Sequence, residues 1–573
     1  MSYSNPNSNE NTNGAEPDAH SNNPLSNPAG HSPMGVPDIL QIGQPLDRVV
    51  DVELETNLLD PVSHNYVSAN GGQTTWVFPA KGVLQSQNAA IVFELNSVGV
   101  DREVAYPFWA GGLSCIRRAT LRCGGVIISQ SDRSALYGCI KTNMKYDMDE
   151  KIGVLDARHK SSSNALLRVA PVEIAAGAAN ASFHQIYNPE CDQVDSFGKA
   201  YNAGTANAHV QQNNKQLLQT AGDGPEVVIR LRDLFEFFDM QFNLPLFAMA
   251  QCELVIEWNA SGSAAVAAAN IVDCSLIETN PCPATSGARN QQCVATMVTP
   301  TLMLDYILYD EMERQKISNV INSPQGLRLS FLEVLHTRGI NPEASAATAA
   351  AGAGTAEVIQ SNHIIGMAGK EVHKIYIAKQ YDLASGRGAT EIDSLRNQVA
   401  THRNLLNNQF KSTEILGEKY NFIINNDRVY SDDIDNKAIQ HNYLSQCGSK
   451  GYNTIGAYYN TQNYDANKVK ELIDTSWNSK TPTTNATTGR TQRYLAGSQH
   501  VIGLNLAKDP SLGAIEGNGQ RISSAPIEVN YSRVALNGGG AASDMLGAVN
   551  LDFYICYRKN LVITPLGAVV GDA

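Results

Sequence analysis

Apolar residues along this chain fall mostly in short alternating runs. Val49-Val50-Asp51-Val52-Glu53-Leu54, Ala90-Ile91-Val92-Phe93-Glu94-Leu95 and Val227-Val228-Ile229-Arg230-Leu231 are rich in β-branched residues, with Gly, Asn or Pro nearby. That is the pattern of strands lying on a sheet. A helical period shows only locally. Leu231, Leu234, Phe235 and Phe238 stand at i, i+3, i+4 and i+7, which predicts a short amphipathic helix directly after a strand. Asp132 is placed to cap a second helix carrying Leu136, Tyr137 and Ile140. Asp435 is placed to cap a third, carrying Ala438, Ile439, Tyr443 and Leu444. The chain reads as mostly β with a few short helices.

The order of these signals repeats. In the first half Ala119-Thr120-Leu121-Arg122-Cys123 meets Gly124-Gly125, then Val126-Ile127-Ile128, then Ser131-Asp132 and a helix with Leu136-Tyr137. In the second half Tyr420-Asn421-Phe422-Ile423-Ile424 meets Asn425-Asn426-Asp427, then Arg428-Val429-Tyr430, then Ser431-Asp432 and a helix with Tyr443-Leu444. Gly-Gly and Asn-Asn both tolerate the positive φ of a tight hairpin turn. A long polar loop follows each unit, at 140–225 and at 446–498. Strands then resume in parallel: Val227–Leu231 with Val501–Leu506, and Glu253–Trp258 with Ile527–Tyr531. The closing strands are Leu304-Asp305-Tyr306-Ile307-Leu308-Tyr309 and Leu551-Asp552-Phe553-Tyr554-Ile555-Cys556-Tyr557.

This order predicts two consecutive copies of one eight-stranded β-sandwich, each a jelly roll of two sheets packed face to face. The expected division is a tail over 1–45, a first roll over 46–322 and a second over 323–573, joined near Ser323-Pro324-Gln325-Gly326. The Ala-, Gly- and Thr-only run Ala346–Ala356 and the Ala-rich run Ser261–Ala269 are expected as surface loops.

Composition agrees with this picture and narrows the function. The 573 residues exceed what one core usually organises. Charged residues are 17%, against roughly 25% in an average soluble protein. The formal charge of −13 argues against a coat on nucleic acid, which needs a basic surface. Residues 1–45 are rich in Asn, Ser and Pro, and no Lys or Arg precedes Arg48, so the tail is expected to be disordered and is not a basic packaging arm. No apolar run reaches the length of a membrane-spanning helix, and no secretory signal is expected. The ten cysteines form no CxxC pair and are expected to be reduced and mostly buried. A disulfide among Cys274, Cys282 and Cys293 is left open.

Several stretches resemble one family. Leu302-Met303-Leu304-Asp305-Tyr306-Ile307-Leu308-Tyr309-Asp310-Glu311-Met312-Glu313-Arg314 is similar to the segment in the major capsid proteins of eukaryotic double-stranded DNA viruses where a Tyr-rich strand runs into an acidic and basic cluster between two jelly rolls. Leu244-Pro245-Leu246-Phe247 with Cys252-Glu253-Leu254 resembles the strand before it. Asn421–Leu444 and Asn560-Leu561-Val562-Ile563-Thr564-Pro565-Leu566-Gly567 resemble members from polinton-like viruses and virophages. The chain departs from the large-virus pattern at Met312 and Gln315, where those proteins tend to carry charge.

The resemblance implies a double jelly roll standing upright in a virion shell, assembled inside the host cell. Three copies would form a trimer with a pseudo-hexameric outline, tiling an icosahedral capsid. The implied partners are neighbouring capsomers and minor capsid, cement and penton proteins, with an inner membrane as a further candidate and no direct nucleic-acid contact. Loops at 140–225, 380–415 and 446–498 would form towers and clasps, and the tail would lie beneath the shell.

No catalytic, cofactor or metal residues are assigned, and an enzyme is not expected. There is no GxxxxGK[ST] loop, GxSxG elbow or HExxH helix. Asp147-Met148-Asp149-Glu150-Lys151-Ile152-Gly153 starts like a calcium loop but fails at Lys151 and Ile152. Asp432, Asp433 and Asp435 could hold a cation at a subunit contact, although helix capping accounts for them more simply. Asp310, Glu311 and Glu313 read as helix N-terminal charges, with Arg314 free to pair across an interface. Phe108-Trp109, Phe235, Phe237, Phe238 and Trp258 could form a sugar platform, but space between packed sheets calls for such aromatics. The sequons at Asn180, Asn259, Asn485 and Asn530 carry little weight in an Asn-rich chain. A two-domain carbohydrate-binding attachment protein is the alternative, and a jelly-roll glycosidase would need two facing carboxylates.

Overall fold

A computed structural model describes residues 52–97, 110–146, 226–259, 295–381, 415–435 and 501–572, with short gaps inside these spans, and a few isolated short strands and positions between them. The first eight principal strands are β1 (Val52–Leu59), β2 (Gly71–Val77), β3 (Ala90–Ser97), β4 (Ile116–Cys123), β5 (Val126–Asp132), β6 (Glu226–Arg230), β7 (Cys252–Trp258) and β8 (Ala295–Tyr309). They form two antiparallel sheets in the orders β1-β8-β3-β6 and β2-β7-β4-β5, with Ser63–Val67 added beside β2.

The next eight are β9 (Leu327–Asn341), β10 (Ala356–Ile365), β11 (Glu371–Tyr381), β12 (Lys419–Ile424), β13 (Asp427–Arg428), β14 (Ile502–Asn505), β15 (Ile527–Leu536) and β16 (Val549–Thr564). Their sheets run β9-β16-β11-β14 and β10-β15-β12-β13, again antiparallel. Numbered one to eight within each unit, both have the orders 1-8-3-6 and 2-7-4-5. That is the jelly-roll connection, present twice, so the chain is a mostly-β double jelly roll.

Alternation along the strands fills each sandwich. Ile91, Phe93 and Leu95 of β3 meet Leu302, Leu304 and Tyr306 of β8, and across the layer lie Trp76, Leu121, Leu254, Ile256 and Trp258. In the second roll Ile375 and Ile377 of β11 and Leu551, Phe553, Ile555 and Tyr557 of β16 face Phe422, Ile424, Val529 and Tyr531. Burying a side chain of this size contributes about 1.5–3 kcal/mol. The two matched hairpin turns use different residues for one conformation. Gly124 and Gly125 have φ of 57° and 82°, and Asn425 and Asn426 have 55° and 70°. Successive left-handed residues are what a two-residue turn between twisted strands requires.

Helix α1 (Ser134–Lys145) follows β5, and α2 (Glu311–Ile321) follows β8. Leu231–Leu234 is a single helical turn after β6, continued by a 3₁₀ turn at Glu236–Asp239, and Leu231, Leu234, Phe235 and Phe238 are all buried. Among the described residues, no helix is long and apolar enough to cross a membrane.

Some expectations need correction. Asp132 does not cap α1; its carboxylate is taken by the Arg118 guanidinium across the β4–β5 pair. The N-cap is Arg133, with φ of 51° and no side-chain cap. Ala346–Ala356 is not all loop. Ala346–Ala350 is a helical turn capped by the Ser345 hydroxyl, which accepts from the Thr348 N–H at 3.2 Å, and Ala356 opens β10. Alanine is the best helix former, so one capping serine suffices to start a turn. The loop expected from 140 begins later, since α1 runs to Lys145. The tail 1–45, the helix after Asp435, Phe108-Trp109, Asp147–Gly153, Ser261–Ala269, Cys274, Cys282 and Cys293, the sequon at Asn485 and nearly all of the long loops lie outside the described residues.

Candidate functional site

The richest chemistry lies where the rolls meet. The sharp turn at Arg133 aims α1 across the outer face of the β9-β16-β11 sheet. Leu136, Tyr137 and Ile140 pack there on Val334, Tyr376, Ala378, Tyr554 and Cys556. The rings of Tyr137 and Tyr554 lie 5.2 Å apart. Tyr137 also donates its hydroxyl to Glu236 Oε1 at 2.7 Å. Burial, then the neighbouring Cys556 and Glu236, push the Tyr137 phenol well above its ordinary range, so it stays neutral.

Beside this apolar contact sits a buried carboxylate. Asp552 of β16 is fully buried and accepts from Arg338 Nε at 2.9 Å and Nη2 at 3.2 Å. His336 Nε2 lies 2.8 Å away, and Arg133 Nη1 of the first roll reaches Asp552 Oδ1 at 3.5 Å. Behind α1, Lys141 Nζ lies 3.1 Å from both Glu236 and Asp239 and donates to the Arg232 carbonyl at 2.5 Å. Asp233 takes the Tyr146 hydroxyl at 2.5 Å and Arg230 at 3.0 Å, with Arg158 at 3.7 Å. Burial alone would raise the Asp233 carboxyl, but Arg158 and Arg230 hold it below the usual range.

Further down, the rolls share a core. Leu327, Leu329 and Phe331 of β9 and Leu561 and Ile563 of β16 belong to one cluster with Phe237, Ile317 and Ile321. Phe237 and Phe331 meet edge-on at 4.8 Å. Phe235, Phe238 and Trp258 are buried as well, and Trp258 Nε1 donates to Thr74 at 2.7 Å. The described aromatics of the supposed sugar platform therefore fill the interior. Asn259 is also buried and donates to the Ser114 carbonyl at 2.8 Å, which removes that sequon from use.

The first roll carries the same face without a cover. Aligning Leu304-Asp305-Tyr306 with Leu551-Asp552-Phe553 makes the cross-strand pairs correspond. Val52↔Tyr309 matches Val334↔Cys556, Leu54↔Ile307 matches His336↔Tyr554, and Thr56↔Asp305 matches Arg338↔Asp552. On the second roll Tyr554 is 0% and Cys556 4% exposed, while their matches Ile307 and Tyr309 on the first are half-buried and Leu54, the match of His336, is 72% exposed with Val52 beside it; Leu58 and its match Ile340 are exposed on both rolls. Asp305 has only neutral hydrogen-bond donors, Thr56 Oγ1 at 2.7 Å and Asn88 Nδ2 at 3.0 Å.

Asp310 does cap α2, accepting from the Glu313 N–H at 2.8 Å. Arg314 is exposed, with its guanidinium over the Phe247 ring at 5.1 Å. Asp433 takes Arg428 at 2.5 Å and Asn421 Nδ2 at 3.3 Å. No three His, Cys, Asp or Glu side chains among the described residues could together hold a metal ion. Cys115, Cys123, Cys139, Cys252 and Cys556 are buried thiols, as expected. Asp552, Arg133, Arg338 and Glu333 were not singled out from sequence. Leu551–Tyr557 is apolar at odd and even positions alike, as a strand covered on both faces would be, but so is the matching Leu304–Tyr309, so residue types alone did not mark the junction.

The chain matches no protein-family model. No curated protein is similar to it by sequence. Among solved structures, the capsid of PBCV-1 is similar over 92% of this chain and 98% of its own, at 12% identity and a TM-score of 0.48. The structure of the Sputnik virophage is similar over 92% and 91%, at 11% identity and a TM-score of 0.49. The mavirus major capsid protein is similar over 90% of both chains, at 10% identity and a TM-score of 0.46.

Proposed function

We propose that this chain is a major capsid protein, a structural subunit without catalytic activity, whose rolls span residues 46–322 and 323–573. Three copies close into a pseudo-hexameric trimer, and trimers tile the icosahedral shell of a double-stranded DNA virus. One observation carries the reading. The outer face of the second roll is closed by the first roll of the same chain, while the equivalent face of the first roll is open and apolar at Val52 and Leu54, where the second roll has Val334 and His336. A second roll from another copy, docking there as the first roll docks within the chain, repeats one contact around a ring. Such head-to-tail contacts close when the rotation allows. Three two-roll chains then present six similar edges.

The ring does not repeat every bond. Where the first roll offers Arg133 to Asp552, the second has Asp432, Asp433 and Asp435 after its matching hairpin. The contact between copies is therefore mainly apolar. Neighbouring capsomers, penton, cement and minor capsid proteins are the remaining partners, with an inner membrane as a further candidate. The low charge suits many moderate wet contacts, and the acidity leaves the genome to other molecules. Electron microscopy of the purified protein should show threefold particles with a hexagonal outline. Small particles of another symmetry that bind glycans saturably would favour the attachment-protein alternative and sink this one.

A further inference from the structure

One carboxyl at the junction lacks the partners its neighbours have. Glu333 lies on β9 and is buried where that strand passes from the shared core to the second roll's own. Its Oε1 accepts from Ser129 Oγ at 3.1 Å and the Gln130 N–H at 3.4 Å, both on β5 of the first roll, and from the Val334 N–H at 3.2 Å. Oε2 is buried with no hydrogen-bond partner. The nearest cation, Lys559 Nζ on β16, stands 3.6 Å from Oε2, outside hydrogen-bond reach.

The other charged groups nearby are already engaged. Arg558 of β16 is held by Glu371 at 3.0 Å, and His336 of β9 lies against Asp552 at 2.8 Å. From the first roll, β5 brings Ser129 and Gln130, neither of them charged. Glu418, buried inside the second roll, shows what a satisfied buried carboxylate looks like. Both its oxygens take Lys379 Nζ, at 2.5 and 2.6 Å, and the Tyr531 hydroxyl adds a third bond at 3.2 Å.

We propose that Glu333 makes the contact between the two rolls proton-responsive: protonation fastens β5 of the first roll to β9 of the second, and ionisation loosens them. A buried carboxylate with one unsatisfied oxygen costs far more than the neutral acid in the same place. Burial accordingly raises the Glu333 carboxyl from 4.5 to about 7, against the opposing pull of Lys559, Ser129 and the Val334 and Gln130 N–H groups. An opened junction hydrates the side chain and returns it to the ordinary value. Between those two values the closed state holds more protons than the open one. Its advantage is complete below pH 4.5 and is lost as pH rises through 7. Across pH 5 to 8 the opening equilibrium should change by about 70-fold. The inference concerns the chain itself and does not depend on the capsid reading.

The test is hydrogen exchange of peptides covering residues 128–133 and 331–336 at pH 5 and pH 8, corrected for the intrinsic rate. Wild type should lose protection by tens of fold at pH 8, while Glu333→Gln should hold the low-pH protection at both. Lys559→Met should move the wild-type midpoint to higher pH, because the lysine favours the ionised form. Protection independent of pH in wild type, the same dependence in Glu333→Gln, or an unmoved midpoint in Lys559→Met would each overturn the proposal.

Discussion

On the outer face of the second roll, Tyr554 and Cys556 disappear beneath α1, and Asp552 is gripped by Arg338, His336 and Arg133. At the matching positions of the first roll, Ile307 and Tyr309 are half-buried, Leu54 opposite Ile307 is exposed, and Asp305 takes its hydrogen bonds from Thr56 and Asn88. Strand order and register are the same, so topology does not set the difference. What differs is whether another roll lies against the face. A duplicated fold thus carries its own control: the second roll shows what such a face looks like when another roll lies against it. It also shows which residues an occupied face needs, a buried aromatic and a paired carboxylate where the open face has Ile307 and a half-exposed Asp305.

Removing the central charge should separate the two faces most widely. Asp552→Ala leaves Arg338 and the first roll's Arg133 without their buried counter-charge, and breaking such a set costs about 3–5 kcal/mol. Asp305→Ala should cost about 1 kcal/mol or less, since only neutral donors at a half-exposed site lose a partner. Urea unfolding of the two variants measures both. Equal losses would mean that the faces are energetically alike, and the comparison would fail.

How far the two rolls could be read from sequence follows the same division. The eight-strand order, the hairpin at Gly124-Gly125 and its partner at Asn425-Asn426 were legible because alternation and turn chemistry are local. The capping of α2 by Asp310 was legible for the same reason. The misplacement of the α1 cap on Asp132 has a tertiary cause: Arg118 on the next strand takes that carboxylate, and a one-dimensional pattern does not contain it. The junction was invisible in residue types, because Asp552 lies over 400 positions from the Arg133 it meets. The two-sided hydrophobicity of Leu551–Tyr557 does not separate the faces either, because the matching Leu304–Tyr309 reads the same way.

Exchanging matched residues should sharpen the comparison with smaller effects. His336→Leu, which places the first roll's Leu54 in the second, removes one partner from a buried carboxylate. It should cost about 1–2 kcal/mol in the same unfolding experiment. No loss would mean that His336 is a bystander. In the opposite direction, Leu54→Glu with Leu58→Glu should change the unfolding of a single chain by about 0.5 kcal/mol or less per site, because both side chains are exposed. The same pair should abolish assembly, read by sedimentation. Assembly at the wild-type level would remove this face from the interface. The smallest effect belongs to the turn. Gly125→Asn imports the residue type of Asn426; a Cβ at position 125 has nothing within 4 Å, and the lower freedom of the unfolded chain offsets the strain of an asparagine at φ of 82°, so the change should cost about 0.5 kcal/mol or less. A larger loss of melting temperature would show that the two hairpins are not equivalent.

The central claim is that the open face of the first roll is closed by another copy. The mass of the intact purified protein by light scattering tests it most directly. The account predicts three times 61.8 kDa, held across dilution, with the Leu54→Glu, Leu58→Glu protein falling to 61.8 kDa. A wild-type chain that stays at 61.8 kDa at every concentration would contradict it.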